Sequence, residues 1–211
     1  MRVFNVNIRP TSKLPKHEQL AWALAETASD KAPLDDAAAE MAALRVADNL
    51  GVALAALNAP SVANARSEAL AHPRSGGATL FGLAGCDTVH CEWATWANAT
   101  AVRELDFHDN FYGADVAHPG DTMSGILAVA QQMRCNGKQF VQGLLTAYEV
   151  QIALAHNIPL AKNRLDHTAH IVPSVICGIG TMLGLETEII FQAVVTGLMM
   201  GLIYALIAAG L

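Results

Sequence analysis

The stretch KQFVQGLLTAYEVQIALAHN, residues 138–157, indicates that the chain is helical. Its larger apolar side chains recur at helical spacing and share one face: Phe140, Leu144, Ala147 and Ile152. Such a face is typical of an amphipathic helix that packs on a core. Elsewhere in the sequence nothing alternates with the two-residue period of a strand for long, and no repeat of fixed period is visible. We therefore predict an all-α fold.

Further helices are predicted on both sides of this one, over residues 15–28, 60–71 and 168–183. Asp35 or Asp36 can cap a helix that runs to Leu57, with an apolar face supplied by Met41, Leu44, Ala47, Val52 and Leu54. Asp87 and Asp121 are also placed where they can cap helices. A turn at residues 72–77 and a short extended piece, ATLFG, are expected between the helices.

Composition narrows the class of protein. The 211 residues suffice for one large domain or two small ones, and 53% hydrophobic against 15% charged residues argues against disorder. A net charge of −6 without a basic run argues against nucleic acid as the main partner. The four cysteines form no CxxC pair, and the N-terminus has no apolar signal segment. A reduced, cytoplasmic protein is the simplest interpretation.

A polar segment, LDFHDNFYGADVAHPGD at residues 105–121, connects two predicted helices and holds four aspartates and two histidines. A carboxylate beside a neutral imidazole can act as acid and base near neutral pH. The alternative is an ordinary loop, in which Asp121 caps a helix, Asp109 and Asp115 are solvated and His108 faces water. Residue types alone leave both interpretations open.

A second polar segment, KNRLDHTAH at residues 162–170, also lies between apolar helices. Lys162, Arg164, His167 and His170 can form a cationic rim for an anionic ligand, although a solvated loop explains the same composition. No metal or other cofactor is predicted. Cys86, His90 and Cys91 match no common zinc spacing, so we expect ordinary residues of a helix face there.

Four segments resemble the MmgE/PrpD family: VNIRPTSKLPKHEQLAWALAE, ATLFGL, WANATAVRELDFHDNFYGADVAHPGD and LLTAYEVQIAL. The resemblance covers residues 1–186 and implies a multi-helix domain, which the family follows with a second, α/β domain absent from this sequence. It also implies a homodimer and a metal-free hydro-lyase reaction of the 2-methylcitrate dehydratase type. That reaction removes water from the tricarboxylate 2-methylcitrate to give 2-methyl-cis-aconitate in propionate catabolism.

The resemblance assigns roles to residues of the two polar segments. Asp106 matches the aspartate that opens the family's DF-x-D segment, His118 the histidine before Pro-Gly, and His167 the histidine at the start of the following helix. Asn110 stands where relatives often have threonine. His118 and His167 would share proton transfer and carboxylate binding, and Asp106 would orient a histidine or the substrate hydroxyl.

The other predicted substrate contacts are polar side chains around these three. Asn110 would donate a hydrogen bond, and Lys162 and Arg164 are the cationic candidates for binding carboxylates. Which histidine is the base and which the acid stays open. The lack of a CxxC pair argues against an iron–sulfur hydratase, which needs three cysteine ligands.

The C-terminal segment, residues 187–211, is predicted to be a separate apolar helix. Residues 189–211 carry no charge and are long enough to span a bilayer, and they resemble the first membrane helix of branched-chain amino-acid transporter permeases. Gly197 and Gly201 form a GxxxG pattern that permits close helix contact, although a buried core helix is an alternative. We therefore expect a truncated or composite chain, with membrane association through this tail as the alternative to a cytoplasmic location. A catalytically inactive fragment that only dimerises or binds ligand is the alternative function.

Overall fold

The computed structural model describes residues 13–83 and 87–208, and these form eight α-helices. The predicted all-α class is confirmed. The helices are α1 Leu20–Ser29, α2 Asp36–Ala55, α3 Pro60–Leu70, α4 Cys91–Arg103, α5 Met123–Gln132, α6 Gly137–Asn157, α7 Ile171–Leu183 and α8 Thr187–Ala208. Short 3-10 turns lie at Lys16–Glu18, Pro119–Thr122, Leu160–Asn163 and His167–His170.

Short strands accompany the helices. β2, Phe111–Tyr112, pairs antiparallel with β3, Val116–Ala117, and Phe111 lies opposite Ala117. β1, Pro73–Ala78, forms single bridges to Val89. Extended structure therefore begins earlier than the ATLFG segment predicted for it.

The starts of α2 and α4 can be compared with the caps predicted at Asp35 or Asp36 and at Asp87. The Asp35 side chain accepts a hydrogen bond from the amide of Ala38 at 2.8 Å, which confirms a cap at the start of α2. The cap predicted at Asp87 is wrong, since α4 begins only at Cys91. The residues between them are extended because Val89 bridges to β1 and the His90 amide donates to the carbonyl of His72.

The core is built around α6. Leu144 and Ala147, on its predicted face, are fully buried and pack with Met123, Ile126 and Met182. The antiparallel helices α6 and α7 approach each other closely at Gly143 and Gly178. A Cβ at Gly143 would lie 2.6 Å from the carbonyl oxygen of Gly178. This contact fixes α6 relative to α7. The loop at residues 158–170 connects these two helices.

The predicted apolar face of α2 is wrong in most positions. Met41, Leu44 and Leu54 are exposed, whereas Ala42 and Ala53 are buried. α2 packs on α4 and α6 through its alanines, because small side chains let the helices approach closely. Periodicity could not decide between these faces, since alanine lies on both.

The first turns of α8 belong to the core. Ile190 and Val194 are fully buried in one cluster with Ala25 and Cys177. The Gly197 backbone lies against Ile176 of α7, where an added Cβ would come within 2.8 Å. Among residues 13–83 and 87–208, no helix is long and apolar enough to cross a membrane. The membrane-spanning interpretation of residues 189–211 stays a prediction, and residues 209–211 lie outside the described part.

Replacing glycine by alanine should have opposite effects on stability at Gly143, in the α6–α7 contact, and at Gly51, in α2. Gly143→Ala should lower the free energy of unfolding by about 1–3 kcal/mol, because the new methyl group collides with the Gly178 backbone. Gly51→Ala, within α2, adds a methyl group with nothing within 4 Å. It should raise the free energy of unfolding by about 0.5–1 kcal/mol. Urea denaturation of both variants measures this, and equal effects would contradict the packing described.

Candidate active site

Two interhelical loops meet in space. The first loop, residues 104–122, joins α4 to α5, and the second loop, residues 158–170, joins α6 to α7. Asp115 of the first loop accepts a hydrogen bond from the amide of Ala161 at 3.1 Å, and its own amide donates to the carbonyl of Ala155. Because the bond from the Ala161 amide favours the carboxylate, it holds the pKa of Asp115 below its usual range. The two loops are thereby fixed to each other and to α6.

This meeting places three imidazoles side by side. The ring centroids of His118 and His167 are 5.3 Å apart, and those of His108 and His118 are 4.8 Å apart. His118 and His167 are two of the residues selected from the sequence, and each comes from a different loop. The third ring, His108, was not selected. Three imidazoles this close form a site able to bind anions or transfer protons.

His108 is buried, and its partner is Asp121. Its side chain is 1% exposed, and its Nε2 lies 2.9 Å from Oδ1 of Asp121. The interpretation that His108 faces water and that Asp121 caps α5 is therefore wrong. Asp121 lies in the 3-10 turn before α5, and its carboxylate pairs with a side chain instead of the backbone. The residue type gave no sign of this burial; the only signal was the density of ionisable residues around His108.

One hydrogen bond sets the tautomer of His118. Its Nδ1 lies 3.2 Å from the carbonyl oxygen of Asp109, and a carbonyl can only accept, so Nδ1 carries the hydrogen. The neutral ring then has its lone pair on Nε2. Burial lowers the pKa of His118, and the nearby positive charge of Arg103 acts in the same direction. At neutral pH, His118 is therefore an uncharged base.

The Asp109 side chain is a buried structural anchor and not a solvated loop residue. Oδ1 accepts from the amide of Gly120 at 2.6 Å, and Oδ2 accepts from the hydroxyl of Tyr148 at 2.8 Å. Asn49 of α2 donates to the same hydroxyl at 3.2 Å. Burial and the charge of Asp109 raise the pKa of Tyr148, which keeps its hydroxyl a donor. Gly120 has no room for a side chain, because a Cβ would lie 2.6 Å from Asp109 Oδ1.

Arg103 brings a positive charge to the imidazoles. Its Nη1 lies 3.0 Å from Oδ1 of Asp106 and 3.4 Å from Nε2 of His108. Asp106, selected as catalytic, is exposed and has a left-handed backbone with φ of 51°. The cation that Asp106 contacts directly is Arg103. Arg103 was not selected from the sequence; its position in the last turn of α4, directly before the polar loop, was the available signal.

The predicted substrate-binding residues, Asn110, Lys162 and Arg164, are all exposed. Asn110 is exposed, with its Nδ2 3.5 Å from the His108 carbonyl oxygen. Arg164 is also exposed. Lys162 lines a cleft of 2140 Å³ between α1, α2 and α6. Within the part of the chain that the structure describes, the lining of this cleft includes none of the three imidazoles. The substrate-binding roles of all three residues stay predictions.

Asp166, next to His167, fixes the start of the 3-10 turn at residues 167–170. Its Oδ1 accepts from the amide of Thr168 at 2.9 Å, which lowers the pKa of Asp166. The same oxygen lies 3.5 Å from Nδ1 of His167. A negative charge thus lies next to the His167 ring.

Metal-binding donors occur in this cluster as well. Asp106, His108 and His118 each offer one ligand atom, and these atoms lie within 4.8 Å of one another. The segment considered for zinc from its sequence is less complete: Cys86 lies outside the described residues, and the Cys91 thiol donates to Glu92. The expectation of a metal-free chain stays a prediction.

The profile of the MmgE/PrpD N-terminal domain matches residues 18–202. The chain belongs to the MmgE/PrpD family. Within this family it is 32% identical over 103 residues to 2-methylcitrate dehydratase of Escherichia coli O157:H7, covering 44% of this chain and 21% of that protein. It is 32% identical over 111 residues to a probable 2-methylcitrate dehydratase of Saccharomyces cerevisiae, covering 46% and 22%.

A third relative gives the same picture. The mitochondrial 2-methylcitrate dehydratase of Yarrowia lipolytica is 35% identical over 100 residues, which cover 42% of this MmgE/PrpD chain and 19% of the relative. The aligned segments thus span about a fifth of the relatives' length. The family match runs to residue 202, beyond the predicted domain end at residue 186. That predicted boundary, and a separate origin of the tail, stay predictions.

Tyr148 tests the anchoring of the first loop in this MmgE/PrpD chain. Tyr148→Phe should lower the free energy of unfolding by about 1–3 kcal/mol, because it leaves the buried Asp109 carboxylate without one donor. Tyr112→Phe is the matched control, since Tyr112 is 76% exposed; its effect should stay within about 0.5 kcal/mol. Chemical denaturation measures both, and similar values for the two variants would contradict the anchor.

The buried His170 predicts a loss of stability in mild acid. His170 is 5% exposed, neither ring nitrogen has a hydrogen-bond partner among the described residues, and burial lowers its pKa. Below the ordinary histidine pKa of about 6.5, the unfolded chain binds a proton before the native chain does. The free energy of unfolding should therefore fall by up to about 1.4 kcal/mol per pH unit per histidine as pH drops below that value.

The measurement is urea denaturation at pH 7.5 and 5.5. The loss should be smaller in His170→Gln and unchanged in His17→Gln, which replaces an exposed histidine. An equal pH dependence in wild type and His170→Gln would show that His170 is not buried in its neutral form.

Proposed function

We propose that this chain supplies the histidine-bearing helical part of a hydro-lyase that removes water from 2-methylcitrate to give 2-methyl-cis-aconitate. The observation that carries the proposal is the cluster of His108, His118 and His167 beside Arg103. The names of the relatives support the family of reactions. A cytoplasmic homodimer is part of the same proposal.

Proton removal falls to His118. Elimination begins with removal of a hydrogen next to a carboxylate, which needs an uncharged base. His118 fits because its Nδ1 is held by the Asp109 carbonyl and the lone pair is on Nε2. Burial, by lowering the His118 pKa, keeps that lone pair available at neutral pH.

Charge stabilisation falls to Arg103. When the hydrogen leaves, negative charge develops on the adjacent carboxylate, and a fixed cation lowers the energy of that state. The Arg103 guanidinium contacts both Asp106 and His108, so its position is set on two sides. Asp106 thereby acts as a positioning residue for the cation, in addition to any hydrogen bond that it makes to substrate.

The departing hydroxyl requires a proton, which we assign to His167. Its ring lies 5.3 Å from the ring of His118, so one small molecule can contact both. The Asp166 carboxylate lies 3.5 Å from Nδ1 of the same ring. Asn110, Lys162 and Arg164 are proposed to bind the remaining hydroxyl and carboxylate groups of the substrate.

A second candidate function is binding of the tricarboxylate, or dimerisation, without turnover. It is favoured by one observation: the aligned segments span only about a fifth of the relatives' length. The imidazoles and Arg103 would still attract an anion.

Turnover and binding of 2-methylcitrate separate these candidates. The full chain should convert 2-methylcitrate to a product with the ultraviolet absorbance of a conjugated carboxylate, and His118→Gln should slow the reaction about 10²–10⁴-fold. The control is His90→Gln, which replaces a histidine at the opposite end of α4, about 20 Å from Arg103. It should leave the rate unchanged.

Calorimetric titration with 2-methylcitrate tests the second candidate function, ligand binding without turnover. Binding that is lost in His118→Gln, without turnover in the folded wild-type chain, would favour ligand binding alone. A folded chain with neither turnover nor binding of 2-methylcitrate would refute the first candidate and the ligand-binding form of the second.

A further inference from the structure

Three donors from the first loop point to a function beyond proton transfer. The Asp106 carboxylate and the rings of His108 and His118 bring one ligand atom each within 4.8 Å of the other two. We propose that these three side chains bind a divalent transition-metal ion, with Zn²⁺ as the best match. Imidazole and carboxylate together suit Zn²⁺, whereas Mg²⁺ and Ca²⁺ prefer sites built of oxygen alone.

The separation of the rings suits a shared ion. Zinc lies ~2.0–2.1 Å from an imidazole nitrogen, so two imidazoles in tetrahedral coordination have centroids about 5 Å apart. The rings of His108 and His118 are 4.8 Å apart. The exposed Asp106 carboxylate, which pairs with Arg103, is the third donor of the set.

The His118 ring is also held in the way that metal-binding histidines are held. Such histidines bind the metal through one nitrogen while the other donates to a carbonyl or carboxylate oxygen. His118 donates through Nδ1 to the Asp109 carbonyl. Nε2 of His108 lies 2.9 Å from the Asp121 carboxylate and 3.4 Å from Nη1 of Arg103, and its Nδ1 is buried without a hydrogen-bond partner among the described residues. Nε2 of His118 therefore carries a lone pair, and Nδ1 of His108 is not engaged by another group among the described residues.

Arg103 is the resident cation at this point and would compete with the metal. Its guanidinium contacts Asp106 and His108, two of the proposed ligands. A metal ion must displace it, because two positive charges this close repel each other. The metal would also take a lone pair from His118. If the proposed function holds, bound Zn²⁺ therefore inhibits the dehydration.

The test is calorimetric titration of the full, chelator-treated chain with Zn²⁺, in the absence of substrate. The visible absorption of bound Co²⁺ serves as a second readout of the ligand set. One ion should bind per chain. Asp106→Asn should weaken binding at least about tenfold by removing an anionic ligand. Asparagine tolerates the left-handed backbone at this position, so the loop keeps its shape.

Arg103→Gln should strengthen Zn²⁺ binding, whereas Asp106→Asn weakens it. A purely structural role of Arg103 would not produce stronger binding. Removing the competing charge should strengthen Zn²⁺ binding by about tenfold. His118→Gln should abolish the Co²⁺ spectrum, with circular dichroism as the check on folding. The control His90→Gln, at the far end of α4, should bind Zn²⁺ like wild type.

Two results would overturn the proposal. One is no Zn²⁺ binding by the folded wild-type chain. The other is binding that survives Asp106→Asn and His118→Gln but is lost in His90→Gln or Cys91→Ser, which would place the ion at the start of α4. Because no substrate is used, dehydration without metal binding would refute this proposal and leave the proposed function intact.

Discussion

The candidate site depends on one buried carboxylate. Asp109 accepts hydrogen bonds from the Gly120 amide and the Tyr148 hydroxyl, while its own carbonyl accepts from His118. The side chain thus closes the first loop on itself and fastens it to α6. The same residue, through its backbone, sets the tautomer of the central imidazole. Local folding and proton chemistry are therefore decided at one position.

The helical frame serves to hold this arrangement. α6 supplies Tyr148, and Asn49 of α2 supports its hydroxyl. α6 also meets α7 at two glycines, Gly143 and Gly178, whose lack of side chains brings the backbones together. Because the second loop connects these same two helices, their close packing also places His167 next to His118. The same helix packing therefore forms the core and positions the side chains of the candidate site.

The sequence predicted the features that follow from periodicity and turn chemistry. The buried face of α6 was confirmed at Leu144 and Ala147, and the Asp35 cap was confirmed as well. Both are local, so neighbouring residues determine them. Asp121 was misread because a carboxylate before a helix can satisfy either the backbone or a side chain. His108, its partner, reaches it only after the loop has folded, and Arg103 was overlooked for the same reason.

The bond between Asp115 and the Ala161 amide has a consequence for motion. It joins two loops that are distant along the chain, so neither can open widely while the other stays closed. Exchange of their backbone amides with solvent should then occur in a single concerted event, not in two independent ones. The residues that gather around an anion would accordingly assemble and separate as one cooperative unit.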